Sequence, residues 1–280
     1  MIKFSHSVFA LPFALISMML AAGGWPRWGT FFWILVAVVA ARTAAMSFNR
    51  IADRDFDARN PRTQNRELVT GELSVAFAWE DLGVSVLVFF VAAGMLNWLC
   101  LVLAAPCLAV LLGYSYTKRM TDYTHFVLGA ALGLAPVGAW IAVTGELAVL
   151  PFLLGAAVMF WVAGFDTLYS CQDYEVDRDD PELHSLPKRL GPENAMQSAR
   201  HFHAVALLLF LVFWIQAAPP LGVLTLLGIT ATGMLLTRQH DMLRPDDLSQ
   251  INKAFFTING QISLVLFFCA WVDTVVLTTP

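Results

Sequence analysis

FFWILVAVVAARTAAMSFNRIADRDFD, residues 31–57, decides how this chain is read. Up to Phe48 its only charge is Arg42, and that length of apolar sequence is enough to cross a bilayer core as a helix. The remainder, NRIADRDFD, packs three aspartates and two arginines into nine residues. A second apolar run, VSVLVFFVAAGML, follows soon after. The stretch therefore places a cluster of carboxylates at the end of a membrane helix, and the cluster needs a physical reason to be there.

The rest of the chain has the same character. Its 280 residues are 58% hydrophobic and 14% charged, with a mean hydropathy of +0.65, whereas soluble domains carry about 25% charged residues. The fold class is all-α, a polytopic membrane protein. About nine spans are expected, near 7–23, 30–50, 74–96, 98–114, 123–143, 150–171, 195–217, 220–237 and 253–275. The first of these resembles a signal peptide in composition, but the spans that follow favour an uncleaved first helix.

With nine spans the basic residues fall almost wholly on one side. Lys3, Arg54, Arg59, Arg62, Arg66, Lys118, Arg119, Arg178, Lys188, Arg189, Arg238 and Arg244 share it, against Arg27 opposite. The positive-inside rule puts that side in the cytoplasm, giving a multi-pass protein of the inner membrane. Acidic clusters begin the long loops after spans two and six, so two related halves plus a ninth helix are expected.

The first cluster is Asn49, Asp53 and Asp57, spaced by four, so a continuous helix would stack them on one face. Arg42, seven residues earlier, lies close to that face. The second is Asp166, Tyr169, Asp173 and Asp177 in FDTLYSCQDYEVD, again at helical spacing. Asp166 is expected about two turns inside its span, where a charge costs at least ~2.5 kcal/mol unless compensated. Carboxylates at a helix C-terminus oppose the macrodipole by roughly 0.3–1 kcal/mol each. Hard divalent cations answer that need, since Mg²⁺ binds through one or two carboxylates plus substrate phosphate oxygens. Arg62, Arg66, Lys118 and Arg119 would neutralise the remaining phosphate charge.

These residues resemble the UbiA superfamily of intramembrane prenyltransferases. NRIADRDFD is similar to its first aspartate-rich motif, RTQNRELVTGELS to the loop that follows, and FDTLYSCQDYEVD to its second motif. The likeness in order and spacing extends over nearly the whole chain, as one transmembrane prenyltransferase domain over 1–280. It implies nine helices around a central cavity, with Mg²⁺ bridging both motifs and the diphosphate of a polyprenyl donor. By that likeness Asp53, Asp57, Asp173 and Asp177 match the carboxylates of the metal and diphosphate, and Asn49 matches a diphosphate or metal contact. Asp166 and Tyr169 match further cavity residues. IKFSHSVFALPFAL and LYSCQDYEVDRDDPELHSLPKRLG most resemble the 4-hydroxybenzoate polyprenyltransferase branch and the hydroxynaphthoate-prenylating enzymes of the futalosine route to menaquinone. The chain departs from the usual motifs at Arg50, at ELV in the first loop and at LHSLPKRLG, and these departures bear on the acceptor.

The expected reaction is Mg²⁺-dependent transfer of a polyprenyl group to an aromatic acid in quinone biosynthesis, within membrane lipid. Arg42 is the candidate for the acceptor's carboxylate, or for a salt bridge to an aspartate. Another aromatic or haem prenyltransferase of the same fold is the alternative within this class. A transporter is the alternative outside it, although a transporter would gather its acids near the midplane rather than at one rim. The cysteines Cys100, Cys107, Cys171 and Cys269 form no CxxC pair and are read as small buried hydrophobes. The six histidines show no repeated metal spacing and are assigned structural or interfacial places. Tyr114 and Tyr116 are expected in an interfacial aromatic belt. No nucleic-acid signature is present.

Overall fold

The computed structural model describes residues 7–277, with side chains from Phe9 onward, so Lys3 and His6 lie outside the described residues. Nine long helices account for most of it: α1 (Ser7–Ala22), α2 (Trp28–Ala52), α3 (Val75–Leu96), α4 (Trp98–Thr117), α5 (Thr124–Thr144), α6 (Val149–Ser170), α7 (Pro192–Ala217), α8 (Val223–Asp241) and α9 (Lys253–Val276). Seven of these are long and apolar enough by themselves to cross a membrane. The other two are α1, which is short at its described length, and α8, whose run of Thr and Gly residues makes it less apolar. The nine spans expected from hydropathy thus correspond to nine helices among the described residues.

Local chemistry sets several boundaries. The Ser74 hydroxyl accepts from Phe77 N at 3.1 Å and opens α3, and the Asn97 side chain accepts from Cys100 N at 2.9 Å and opens α4. Gly145 ends α5 at a φ of +73°, a conformation that a β-carbon disfavours. Asp273 of α9 is buried and accepts from both the backbone N and the hydroxyl of Thr225, at 2.7 and 2.6 Å, which places a carboxylate at the amino end of α8 where the dipole favours it.

In lipid, apolar surface alone gives helices no reason to associate, so close packing and interhelical hydrogen bonds must hold them. The α5–α6 contact shows how. A β-carbon at Gly129 would overlap the Met159 carbonyl, and one at Gly133 would lie 2.5 Å from that of Gly155. Gly155 is constrained in the same way by Gly133, at 2.6 Å. These glycines let two backbones touch. On the far side of α6, Trp161 is fully buried among Phe9 and Phe13 of α1 and Phe165, with Phe210 of α7 stacked on Phe13 at 5.8 Å. The hydroxyl of Ser17 in α1 donates to the Pro136 carbonyl in α5 at 2.6 Å. Helix α9 packs on α1 and α8, and thereby joins the two ends of the chain.

The α5–α6 contact makes a prediction. Gly133→Leu must separate the backbones, at roughly 1–3 kcal/mol or more, and should lower the thermal unfolding temperature of the detergent-solubilised protein. Gly83→Ala, at a position inside α3 with nothing within 4 Å of the added carbon, should leave that temperature unchanged or raise it slightly, because alanine is the better helix former.

Candidate active site

Both acidic motifs lie at one end of the bundle, where the loops after α2, α4 and α6 meet. The first motif keeps its expected face through a small interruption. Helix α2 stops at Ala52 and a short helix, Arg54–Arg59, resumes after Asp53. Asp53 N still bonds to Asn49 O at 2.9 Å, and Asp57 N to Asp53 O at 2.8 Å. The second motif departs further from the regular helix expected of it. Asp166 and Tyr169 belong to α6, but the chain tightens to a 3-10 turn over Cys171–Asp173 before one further turn, Tyr174–Asp177. Asp166 lies one turn from the end of α6 rather than two.

The loop cations meet the acids as charge balance requires. Asp53 is 4% exposed; Lys118 Nζ lies 2.9 Å from its Oδ2, and the Asn49 amide donates to the same oxygen at 2.9 Å. Burial pushes the Asp53 carboxyl above the usual carboxylate range, and the ammonium of Lys118 opposes that shift. Its Oδ1 is buried without a hydrogen bond, with the Arg119 guanidinium 3.6 Å away. Arg119 also donates to the carbonyl of Ala52, one of the free carbonyls at the end of α2. Asp57, also buried, pairs with Arg66. Asp173 is held from the loop that follows the first motif: Arg62 grips it through Nε and a terminal nitrogen, both at 2.8 Å, and the Asn60 amide adds a third bond at 2.9 Å. Arg62 also stacks over the Tyr169 ring at 5.5 Å. These bonds tie the first motif's loop to the second motif. Further out, Arg59 pairs with Asp180 at 3.1 Å, and Asp122 faces His184 and Arg189 at 3.1 and 3.5 Å.

Beneath this charged layer is a cavity of about 380 Å³, walled by α1 to α6 and α9. Arg42, Asn49 and Tyr114 bring polarity to its charged end, and almost every other lining residue is apolar. On α2 it runs from Ile34 to Asn49, roughly 22 Å of helix at 1.5 Å per residue. Arg42 thus shares the Asn49 face, as its spacing implies. A π-helical segment at Lys253–Ile258 opens α9 and sets Phe255 in the cavity wall, where it stacks on Tyr169 at 4.1 Å.

Four placements differ from, or go beyond, the sequence reading. Tyr114 lines the cavity instead of joining an interfacial belt. Cys100 and Cys107 are half-buried, packing against the core and also lining the same cavity. Asn60 is a partner of Asp173 that nothing in its local sequence marks. His125, an isolated polar residue in an apolar span, meets Asp166 at 2.7 Å. His203 and His240 pair at 2.9 Å in the interior, consistent with a structural place. Among the described residues no three His, Cys, Asp or Glu side chains converge to hold a metal by themselves.

A helical membrane protein with a long apolar cavity, capped by paired acids and phosphate-ready cations, belongs to the class that handles amphiphiles with an anionic head. The comparisons narrow this. The model of the UbiA prenyltransferase family matches residues 10–264. The chain is 30% identical over 256 residues to a 4-hydroxybenzoate octaprenyltransferase of Chromohalobacter salexigens, covering 90% of this chain and 83% of that one. It is 31% identical over 257 residues to the enzyme so named in Xanthomonas oryzae pv. oryzae, covering 90% and 82%. An apo UbiA homologue from Aeropyrum pernix K1 superposes with a TM-score of 0.88 at 32% identity, over 98% of this chain and 99% of that one. A homologue from Archaeoglobus fulgidus, solved with DMAPP and Mg²⁺, shares the fold at a TM-score of 0.73 and 21% identity, over 96% and 95%. The chain belongs to the UbiA prenyltransferase family and is an intramembrane prenyltransferase.

The Asp53–Lys118 pair gives a prediction with a defined sign. Lys118→Met leaves a buried carboxylate with the Asn49 amide and, at 3.6 Å, Arg119 as its only remaining described partners, a loss on the order of 3 kcal/mol at neutral pH. Because burial already raises the folded-state pKa of Asp53, removing the cation raises it further. The variant's deficit should be small below the unfolded carboxylate range and grow as pH rises through the folded pKa. Thermal unfolding of both proteins across acid to neutral pH measures this.

Proposed function

We propose that the protein transfers a polyprenyl group from its diphosphate to an aromatic hydroxy acid, 4-hydroxybenzoate or a hydroxynaphthoate, in quinone biosynthesis. The observation that carries this is the junction of two compartments. An acid and cation layer suited to Mg²⁺ and diphosphate sits on an apolar cavity that holds one arginine, Arg42, on the same face of α2 as Asn49. The names of the relatives support the aromatic acceptor, and the ligands of the Archaeoglobus homologue support a prenyl diphosphate with Mg²⁺.

The residues fit a metal that is shared with substrate. Asp53 keeps a buried carboxylate oxygen free of hydrogen bonds, and Asp57, Asp173 and Asp177 supply further hard oxygen donors. The acids are dispersed among loop cations instead of forming a closed cage, and Mg²⁺ typically completes its shell with phosphate oxygens and water. When bound, Mg²⁺ supplies Lewis-acid stabilisation of the leaving diphosphate. Asn49, Arg62, Arg66, Lys118 and Arg119 bind and orient the diphosphate and hold its charge as it departs. The apolar cavity wall takes the isoprenoid chain and keeps water from the allylic cation. Tyr169 and Phe255 present π faces beside the charged layer. Arg42 pairs with the acceptor's carboxylate, and Asp166 lines the acceptor's side of the site. The excess of basic residues in the loops at this end supports a cytoplasmic active site, with the bundle in the inner membrane.

The test is prenyl transfer by the purified protein in lipid, with labelled polyprenyl diphosphate, Mg²⁺ and both acceptors offered separately. A lipid-soluble product that EDTA abolishes is expected. Asp53→Ala and Asp173→Ala should each lower turnover at least about 100-fold, with the helical content unchanged by circular dichroism. Arg42→Leu should raise the acceptor KM while sparing binding of the diphosphate. Full activity in either aspartate variant would overturn the shared metal site.

A further inference from the structure

The α5–α6 glycine contacts have a consequence at the charged end of the same seam. Gly133 meets Gly155, Gly129 meets Met159 one turn on, and His125 meets Asp166 at the end of the row. The backbone contact fixes the separation that leaves His125 Nδ1 2.7 Å from Asp166 Oδ2. The two partners differ in exposure. His125 is 2% exposed, whereas the Asp166 side chain is 20% exposed. The imidazole is thus the buried partner, and the carboxylate is the more exposed of the two. Phe165, beside Asp166, and Leu128, one turn from His125, both line the cavity.

His125 Nε2 is buried and has no hydrogen-bond partner in the protein. Of the two neutral tautomers, the one with its proton on Nδ1 donates to Asp166, while the other would set a lone pair against the carboxylate and leave a buried N–H unpaired. The geometry points to His125 as a positioning residue that holds Asp166 by an Nδ1–H···Oδ2 bond and so aims the other carboxylate oxygen at the acceptor. This inference rests on the prenyl-transfer reading of the site. A carboxylate gripped on one oxygen presents the other as an acceptor only, which suits a hydroxyl on the aromatic ring. A site built to accept from such a hydroxyl discriminates strongly against analogues that lack one.

The experiment compares four variants with the wild-type chain in lipid: His125→Leu, His125→Asn, Asp166→Asn and the His125→Leu/Asp166→Asn double variant. Asn places an amide N–H near the position of Nδ1–H, so it is the conservative replacement. His125→Leu should lower kcat/KM for the acceptor about 10- to 100-fold, the range for removing a group that orients a ligand-binding side chain. The KM for prenyl diphosphate should stay within about twofold and the unfolding temperature unchanged, and His125→Asn should recover most of the loss. In the Asp166→Asn background, His125→Leu should add nothing, because the histidine acts through the carboxylate. Nitrogen NMR of histidine-labelled wild-type protein should find the His125 proton on Nδ1. An Nε2-protonated ring, an equal fall for both substrates, or no rescue by Asn would each overturn the assignment. Should His125→Leu fail to fold, the NMR result and the Asn variant still decide it. Failure of the wild-type chain to prenylate any acceptor is a separate result, and overturns the functional reading beneath it.

Discussion

The structure depends on how it partners carboxylates at the carboxyl ends of membrane helices. Asp53 ends α2, and Asp173 follows directly after α6. Both sit where the helix dipole is negative and where apolar surroundings make an isolated charge costly. The protein meets this cost from elsewhere in the chain. Lys118 and Arg119 come from the end of α4, and Arg62 and Asn60 come from the loop after the first motif to reach the second. Each ion pair therefore joins segments far apart in sequence. The same cations that neutralise the acids are the ones an incoming diphosphate would need. Under the proposed function, electrostatic balance and substrate recognition would draw on one set of side chains.

That economy has a geometric requirement. Three cations, Arg59, Lys118 and Arg119, lie over the Phe56 ring at 4.6, 5.3 and 4.7 Å, so an aromatic face holds them together where their mutual repulsion would spread them. Phe56 stands inside the first acidic motif, between Asp53 and Asp57. The motif thus carries both the acids and a surface on which their counter-charges collect. The close backbone approach of α5 and α6 does similar work below, because it brings an imidazole to Asp166, an acid set inside α6.

Much of this was legible in the sequence, for physical reasons that also define the gaps. Hydropathy places the nine helices because a bilayer requires long apolar runs. The spacing of Asn49, Asp53 and Asp57 survives because the backbone bonds continue through the break at Asp53. The second motif looked equally regular and is not. Spacing alone does not distinguish an α-turn from the 3-10 turn at Cys171–Asp173. Tyr114 was misplaced because its height near a helix end suits an interfacial belt equally well, and only its direction around α4 decides the matter. Asn60 has no place in the sequence reading and His125 only a structural or interfacial one, because their partners lie 113 and 41 residues away, and no local pattern announces a contact of that range.

The shape of the cavity also explains why such chemistry belongs in a membrane. A polyprenyl chain has no polar group to satisfy, so a wall of Ala, Leu and Phe accepts it without specific bonds, and recognition falls to the diphosphate end. The allylic cation released there needs the opposite of what the diphosphate needs: no water, no nucleophile except the acceptor ring, and diffuse negative charge. Tyr169 and Phe255 stand at the boundary between those demands, stacked at 4.1 Å with Arg62 over the tyrosine. Under the proposed reaction the aromatic wall at Phe255 would face the allylic cation, and Arg62, paired with Asp173, would face the diphosphate. The π-helical segment at Lys253–Ile258 sets Phe255 in that wall against Tyr169, where the proposed reaction would need an aromatic face.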